Sequence, residues 1–156
     1  MHTGGDIAVG THGLYRQITL LDLHPGDRVL ECGTGNGALA LYLARAIADG
    51  ADSNDPERGC VVTVERPDAH AVGAQKFVRQ YRRGGLLPWI EFHTGDLAID
   101  IAPQWPSASF DAAILDMPDP STPQMMQTIK RLLRNDARCI CYLPNMTQVV
   151  DTVREA

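Results

Sequence analysis

Residues 31–40 read ECGTGNGALA, and an apolar run, RVL at residues 28–30, leads into them. Gly33, Gly35 and Gly37 stand at alternate positions between this strand candidate and an alanine- and leucine-rich helix candidate. Glycine at such a turn lets backbone N–H groups come close to a ligand, and the N-terminus of the following helix offers partial positive charge. GTGNGA also satisfies the dinucleotide fingerprint, so the stretch predicts a ligand site, although a tight turn without a ligand remains an alternative.

Strand and helix candidates alternate along the whole chain. This alternation predicts right-handed crossovers and an α/β fold with a mostly parallel sheet. The apolar runs CVVTV and CICYL fit strands that are buried on both faces. Residues 1–13 are small, polar and glycine-rich, and we expect a flexible N-terminal segment there. The strand candidates are residues 28–32, 60–65, 89–95, 110–117 and 137–144, and the helix candidates include residues 14–23, 38–48 and 67–83.

Length and composition indicate one globular domain. The chain has 156 residues, of which 44% are hydrophobic and 21% charged. The formal net charge of −5 argues against a protein that coats nucleic acid non-specifically, but it allows a nucleic-acid enzyme with a local basic patch. Two basic segments, KFVRQYRR (residues 76–83) and KRLLR (residues 130–134), are interpreted either as solvated helix faces or as contacts with an RNA backbone.

No signal peptide or membrane-spanning run is recognised, and an intracellular location is expected. The four cysteines do not form a metal or disulfide framework, so buried reduced thiols are predicted. Cys139 and Cys141 alternate along one strand candidate, and we expect them to point to opposite faces.

Acidic residues end three successive strand candidates. Glu31 precedes the first glycine of the loop, Glu65 ends the second strand, and Asp96 follows the third. A carboxylate at the second strand can accept both hydroxyl hydrogens of a ribose, and Asp96 is placed to reach an adenine edge. NAD carries a pyrophosphate, which Glu31 would repel, whereas a cationic nucleoside would be attracted. An NAD-dependent dehydrogenase is therefore the weaker interpretation of the glycine loop.

Four motifs carry a resemblance to a known family: LECGTGNGALALYLARA, VERPDAHA, LDMPDP and YLPNMTQV. Together they closely resemble the catalytic subunit of tRNA (adenine-N1) methyltransferases, which are class I S-adenosylmethionine-dependent enzymes. The likeness runs from about Leu20 to Val153. It implies a Rossmann-like three-layer sandwich, and methylation of N1 of adenosine 58 in the T-loop of tRNA. It also implies S-adenosyl-L-methionine as cofactor and no metal.

The resemblance further implies partners and residue roles. The partners would be tRNA and further subunits, which would form either a homo-oligomer or a hetero-oligomer with a related non-catalytic subunit. No membrane partner is implied. The compartment would be the nucleus or mitochondrion in a eukaryote and the cytoplasm in a prokaryote. Asp116 and Tyr142 would act in catalysis, with Asn145 beside the base. The residues expected to bind cofactor are Glu31, Gly33, Thr34, Gly35, Asn36, Gly37, Ala38, Glu65, Arg66, Asp96, Leu97 and Asp116.

Asp116 suits methylation of adenine N1 on chemical grounds. N1 has an available lone pair, so no strong base is needed for its attack. Methylation spreads positive charge onto the exocyclic amine, and a carboxylate that accepts that N–H stabilises the charge and can take the proton. A strand-end or helix-capping acid is the alternative interpretation of Asp116.

The chain also departs from the family pattern. In the family a small β-rich domain precedes this region and two further strands follow the fifth, and we expect this chain to lack both. We therefore expect a methyltransferase domain over residues 14–156 that is incomplete at its C-terminus, with impaired activity, and with CICYL as an open edge strand unless another segment covers it. A class I methyltransferase with another substrate, or a non-catalytic subunit of a tRNA methyltransferase complex, are the alternatives.

Overall fold

The computed structural model describes residues 7–9, 14–48, 55, 58–66, 68–118, 120 and 122–155. Six strands and five α-helices alternate along these residues. The strands are β1 (Ile7–Val9), β2 (Arg28–Cys32), β3 (Cys60–Glu65), β4 (Ile90–Thr94), β5 (Phe110–Leu115) and β6 (Leu133–Cys141). The helices are α1 (Leu14–Leu21), α2 (Ala38–Ile47), α3 (Asp68–Gln80), α4 (Pro123–Leu132) and α5 (Met146–Glu155).

The strands form one sheet in the order β1-β6-β5-β2-β3-β4, and every pairing is parallel. The predicted α/β fold with a mostly parallel sheet is confirmed. The strand order reverses at β2, which lies between β3 and β5. In open α/β sheets, ligands bind at the carboxyl ends of the strands beside such a reversal. The topology therefore directs attention to the loop that follows β2.

Helices cover both faces of the sheet and make the predicted three-layer sandwich. On one face, α2 packs on β2, β3 and β5 through buried residues such as Leu43, Val61 and Ile114. On the other face, Leu30, Val62 and Leu115 pack with α4 residues including Ile129. Parallel strands buried on both faces are apolar almost throughout, which is why CVVTV and CICYL lack a polar alternation. None of the helices described here has the length and apolar character that a membrane crossing requires.

Strand β6 begins at Leu133, four residues before the predicted start at residue 137. Leu133 pairs with Phe110, whereas the strand predicted from the sequence includes none of residues 133–136. The guanidinium of Arg134 forms an ion pair with Asp111 on the neighbouring strand. This cross-strand charge pair holds a polar segment in the sheet, which apolar periodicity alone does not detect.

Part of the N-terminal segment, whose flexibility stays a prediction, takes part in the sheet. Ile7–Val9 forms β1 and pairs in parallel register with Cys139, Ile140 and Cys141 of β6. The remainder of residues 1–13 lies outside the described part of the chain. An apolar strand with unpaired backbone groups is a site of unwanted association, and a neighbouring strand removes that exposure. Strand β1 is thus the segment that covers residues 139–141 of CICYL, and this part of β6 is not an open edge.

The four cysteines are free and buried, as predicted. Cys139 and Cys141 belong to the same buried cluster, on the face that α4 covers. The expectation that they point to opposite faces is wrong, because side chains alternate along a strand with a period of two residues. Ile140, between them, packs in the cluster on the opposite face.

The ends of β2 and β5 approach each other very closely at Gly33. Gly33 has φ +100°, and a Cβ atom added there would lie 1.9 Å from the carbonyl oxygen of Asp116. The amide of Asp116 donates to the carbonyl of Cys32 over 2.9 Å, and the amide of Gly33 donates to the carbonyl of Val64 over 2.9 Å. Only glycine fits this position, since any side chain would push the two strand ends apart.

The close approach predicts a large difference between two glycine substitutions. Gly33→Ala should destabilise the protein by about 3 kcal/mol or more, because it combines an unfavourable φ with a backbone clash. Gly35→Ala is the matched control: Gly35 also has a positive φ of +52°, but no heavy atom lies within 4 Å of the point that a Cβ atom would occupy. We expect it to cost only about 1 kcal/mol. Urea denaturation measures both, and equal losses of stability would contradict the argument.

Candidate active site

A cavity of about 520 Å³ opens at the carboxyl ends of β2, β3, β4 and β5. It brings together six residues that the sequence assigned to the site: Gly33, Gly35, Glu65, Arg66, Leu97 and Asp116. These residues come from four separate loops, and only the parallel sheet places them side by side. Among the described residues, the lining is Cys32, Gly33, Gly35, Val64, Glu65, Arg66, His70, Gly95, Leu97, Asp116, Met117, Pro118 and Met125.

The glycine loop is held in place by contacts with β3. The amide of Gly35 donates to Oε2 of Glu65 over 3.0 Å. The Thr34 hydroxyl lies 2.6 Å from the Thr63 hydroxyl, and both threonines are buried. The side chain of Thr34 therefore anchors the loop, whereas the open space beside Gly35 faces the cavity.

Three other loop residues predicted to bind cofactor do not line the cavity. Oδ1 of Asn36 accepts from the amide of Ala38 over 3.0 Å, which caps the start of α2. A Cβ atom at Gly37 would meet Val78 and Ala74 of α3, so this glycine permits close helix packing. Ala38 lines a different groove, between α2 and α3. These residues shape the loop from behind, and a role in cofactor binding stays a prediction for them.

Glu31 is fully buried beneath the glycine loop. Neither oxygen of its carboxylate makes a hydrogen bond of normal geometry with a described residue. Burial raises the pKa of Glu31 from 4.5 to about 8; interaction with the Thr63 hydroxyl partly offsets the rise, and the charges of Asp116 and Glu65 add to it. A buried carboxylate without a partner is costly, and a cation placed beside it would compensate.

Asp96 does not present a free carboxylate to the cavity. Its Oδ1 accepts from the amides of Ala98 and Ile99 and caps a π-helical turn over Leu97–Ile101, and its Oδ2 accepts from Arg66. Burial raises the pKa of Asp96, but the Ile99 amide and the Arg66 guanidinium outweigh it, and the pKa falls below its usual value. The neighbours of Asp96, Gly95 and Leu97, line the cavity. This edge of the cavity is therefore less negative than the sequence suggested.

Asp116 lies at the end of β5, partly exposed, and lines the cavity. Partial burial raises the pKa of its carboxyl group. Tyr142, half-exposed at the end of β6, donates its backbone amide to Leu115 and does not line the cavity. Oδ1 of Asn145 accepts from the amide of Gln148 at the start of α5. The structure thus brings Asp116 to the site, and assigns Asn145 a capping contact.

Several lining residues were missed by the sequence analysis. His70 reaches the cavity from α3, Met117 and Pro118 follow β5, and Met125 comes from α4. His70 falls within VERPDAHA and the pair Met117–Pro118 within LDMPDP, so the motifs contained a signal. Met125 belongs to the apolar face of a helix, and no local pattern distinguishes it from an ordinary core residue.

The arrangement fits a cationic nucleoside. The apolar walls contributed by Val64, Leu97 and Met125 suit a flat base, and the carboxylates of Glu65 and Asp116 also line the cavity. Glu31 offers an uncompensated buried acceptor behind the loop, and Gly35 leaves room for a ligand against the backbone. A pyrophosphate would meet the carboxylates of Glu65 and Asp116, so a dinucleotide is the poorer fit.

Comparison with known proteins agrees with this chemistry. Residues 13–156 match the family model described as the tRNA methyltransferase complex GCD14 subunit. The chain belongs to the GCD14 family. The match covers nearly the whole chain, including the glycine loop and the segments that end in Glu65 and Asp116.

Individual relatives of this GCD14-family chain are found in bacteria and archaea. It is 36% identical over 139 residues to the tRNA (adenine(58)-N(1))-methyltransferase TrmI of Thermus thermophilus, covering 89% of this chain and 48% of that protein. It is 26% identical to the tRNA (adenine(57)-N(1)/adenine(58)-N(1))-methyltransferase TrmI of Methanocaldococcus jannaschii, covering 85% of this chain and 50% of that protein. The chain thus spans about half the length of these curated relatives.

Solved structures show the same architecture. A SAM-dependent O-methyltransferase from Thermotoga maritima superposes with a TM-score of 0.74 at 25% identity, covering 91% of this chain and 47% of that one. The precorrin-6y C5,15-methyltransferase of Geobacter metallireducens has a TM-score of 0.73 at 9% identity, which shows the fold alone. The GCD14-family chain has the fold shared by these methyltransferases.

The burial of Glu31 predicts a pH-dependent stability. The pKa of Glu31 is near 8 in the folded protein, against an ordinary value of 4.5, so between these pH values the folded protein holds a proton that the unfolded chain has lost. The free energy of unfolding therefore falls as the pH rises through this window. Glu31→Gln stays neutral, so without cofactor it should become more stable than the wild type as pH increases, by at most about 5 kcal/mol above pH 8.

Urea denaturation of both proteins from pH 4 to 9 measures this difference. Other titrating groups are common to the two proteins and cancel in the comparison. A stability difference that does not change with pH would show that Glu31 is not a buried carboxyl with a raised pKa.

Proposed function

We propose that this chain is a methyltransferase domain, over residues 14–156, that transfers a methyl group from S-adenosyl-L-methionine to N1 of adenosine 58 in tRNA. The observation that carries the proposal is the buried carboxylate of Glu31, which has no hydrogen bond of normal geometry with a described residue and lies beneath the glycine loop. Gly33 and Gly35 of that loop line the same cavity as Asp116, although Glu31 itself does not. Membership of the GCD14 family, and the names of the Thermus and Methanocaldococcus relatives, support tRNA as the substrate.

The site residues suit S-adenosyl-L-methionine, which supplies an activated methyl group on a sulfonium. Glu31 and the loop from Cys32 to Ala38 would hold the methionine end, because the ammonium and sulfonium complement a buried carboxylate. Glu65 would accept from the ribose hydroxyls while it accepts from the amide of Gly35. Leu97 and the Asp96–Arg66 pair would bound the adenine.

Asp116 is assigned the role that touches the reacting base. Its carboxylate would accept the exocyclic N–H of adenine, stabilise the charge that methylation places there, and take the proton afterwards. The raised pKa of Asp116 suits a group that must accept a proton. Tyr142 would approach the same base from the end of β6, and Asn145 would hold the start of α5, where Gln148 donates to the carbonyl of Pro118 over 2.8 Å.

The proposal extends to partners. The enzyme would bind tRNA, and it would act in a homo-oligomer or together with a related non-catalytic subunit, as the description of the family as a complex subunit suggests. The intracellular location expected from the sequence belongs to the same proposal, since tRNA is an intracellular substrate.

Methylation of unmodified tRNA transcript with labelled cofactor tests the activity. We expect label in tRNA, with the modified base mapped to adenosine 58, and no label in a transcript that carries guanosine at that position. Calorimetric titration with S-adenosyl-L-methionine runs in parallel. Cofactor binding with label on another acceptor would indicate a different methyltransferase, and no cofactor binding would indicate a non-catalytic subunit.

Substitution of Asp116 separates chemistry from binding. Asp116→Asn keeps the shape but cannot accept the proton, so kcat on tRNA should fall by about 10²- to 10⁴-fold. The affinity for S-adenosyl-L-methionine should change by less than a factor of about five, since Glu31 and Glu65 remain. Asp151→Asn, at a half-exposed position on α5, is the control and should leave kcat unchanged. If Asp116→Asn methylates tRNA with the wild-type kcat, the role proposed for Asp116 is wrong.

A further inference from the structure

A second groove, of about 140 Å³, lies between α2 and α3 on the outside of the molecule. Its lining is Ala38, Leu41, Tyr42, Arg45, Phe77 and Tyr81, and we call it the α2–α3 groove. Three of these six residues are aromatic, and Phe77 is 43% exposed. A cavity of about 150 Å³ is large enough for benzene, so the α2–α3 groove can admit one flat ring between its aromatic walls. None of these six residues lines the proposed cofactor cavity.

The surface around the groove is strongly basic in a protein of net negative charge. Helices α2 and α3 and the turn after α3 (residues 38–47 and 68–84) contain five Lys or Arg residues and one acidic residue, Asp68 at the start of α3, whereas the whole chain has a formal charge of −5. The five are Arg45, Lys76, Arg79, Arg82 and Arg83. All five are exposed, and none forms a salt bridge within the part of the chain that the structure describes. Basic residues around aromatic faces are typical of single-stranded nucleic-acid sites.

The turn after α3 holds two of these arginines in an unfavourable conformation. Arg82 has φ 42° and ψ 43°, and Arg83 has φ 61° and ψ 30°, so consecutive non-glycine residues are left-handed. The Arg82 guanidinium lies 5.9 Å from the ring centroid of Tyr81. Left-handed residues of this kind are retained most often where they place side chains for binding. Here the turn projects two cations beside the aromatic wall.

Helix α3 joins the α2–α3 groove to the cavity. His70 lines the cavity and Phe77 lines the groove, and residues seven apart fall on the same face of a helix, about 10 Å along its axis. On the α2 side, Gly35 lines the cavity and Ala38 the groove, and three residues span at most about 11 Å. A polynucleotide strand whose target base enters the cavity would therefore pass the groove within a few nucleotides.

From this placement we propose that the α2–α3 groove binds an unpaired base of the tRNA substrate between Tyr42, Phe77 and Tyr81, while the surrounding arginines and Lys76 contact the flanking phosphates. The inference rests on the proposed function in taking tRNA as the ligand. The charge pattern favours RNA over a protein partner, because five cations against one acidic residue complement a polyanion better than they complement an apolar protein surface. The groove would position the RNA, and the reacting atoms would stay with Asp116.

Binding of unmodified tRNA transcript by the purified full chain, measured by fluorescence anisotropy, tests the groove. Phe77→Ala should weaken tRNA binding about five-fold or more, since stacking on an aromatic ring contributes strongly to single-strand binding. The double variant Arg82→Gly with Arg83→Gly should weaken tRNA binding and lower the slope of log Kd against log salt by about one to two. Glycine relieves the left-handed strain, so the melting temperature of the double variant should rise.

Two control variants match these changes. Val72→Ala alters an apolar residue of α3 that is 66% exposed and lies off the groove, and Arg154→Gln removes an exposed cation from α5 on the opposite face of the sheet. Both should bind tRNA as the wild type does. In the methylation assay, Phe77→Ala should raise KM for tRNA with kcat and cofactor affinity unchanged, which a merely structural role would not produce.

The outcomes separate this inference from the proposed function. Methylation with wild-type KM in both groove variants overturns the groove and leaves the function standing. tRNA binding that the groove variants weaken, without methylation by the wild type, supports the groove and overturns the function. A wild type that does not bind tRNA overturns the groove. A change of oligomeric state in the groove variants, measured by sedimentation while the tRNA affinity is preserved, also overturns the inference. It would assign the groove to a protein partner.

Discussion

The close approach of Gly33 to the carbonyl of Asp116 is the contact on which the site depends. It joins the ends of β2 and β5, at the point where the strand order of the sheet reverses. Because the two backbones are nearly in contact, the glycine loop and the proposed catalytic carboxylate emerge beside the same cavity. The first glycine of the loop therefore serves strand-to-strand packing as well as lining the cavity, whereas Gly35 leaves open space beside the backbone for the proposed ligand. The three glycines of the fingerprint thus meet three different demands: close packing of strands at Gly33, space for a ligand at Gly35, and close packing of helices at Gly37.

Glu31 shows that the site is built at the expense of stability. Burial without a hydrogen-bond partner of normal geometry destabilises the charged form of this carboxyl group. An apolar residue of similar size would pack there at a lower cost in folding free energy. Thr34 and Thr63, which bond to each other beside it, keep the loop fixed above the carboxylate. Under the proposed function, the cationic cofactor would compensate this buried group. Asp96 is the opposite case, since capping and Arg66 satisfy it within the fold.

Charge is distributed unevenly over the molecule. Carboxylates gather at the carboxyl edge of the sheet, whereas the charged residues of α2, of α3 and of the turn that follows α3 are basic apart from Asp68. An acidic cavity suits a cationic cofactor, and a basic surface suits a polyanionic substrate, so one small domain can bind both without mutual interference. The net charge of −5 conceals this division, because the two regions partly cancel in the sum.

The sequence by itself determined the alternation of strands and helices, the parallel sheet, and the strand ends at which Glu31, Glu65 and Asp116 appear. These features follow from local periodicity, from turn chemistry, and from the rule that parallel strands bring their carboxyl ends to one edge. The tertiary structure alone decided that Arg66 neutralises Asp96, that Met125 of α4 closes the cavity, and that β1 covers β6. It also decided that Ala38 faces the α2–α3 groove. Each of these depends on contacts between distant segments, and the side-chain directions that create them are set by packing, which no local pattern of residues records.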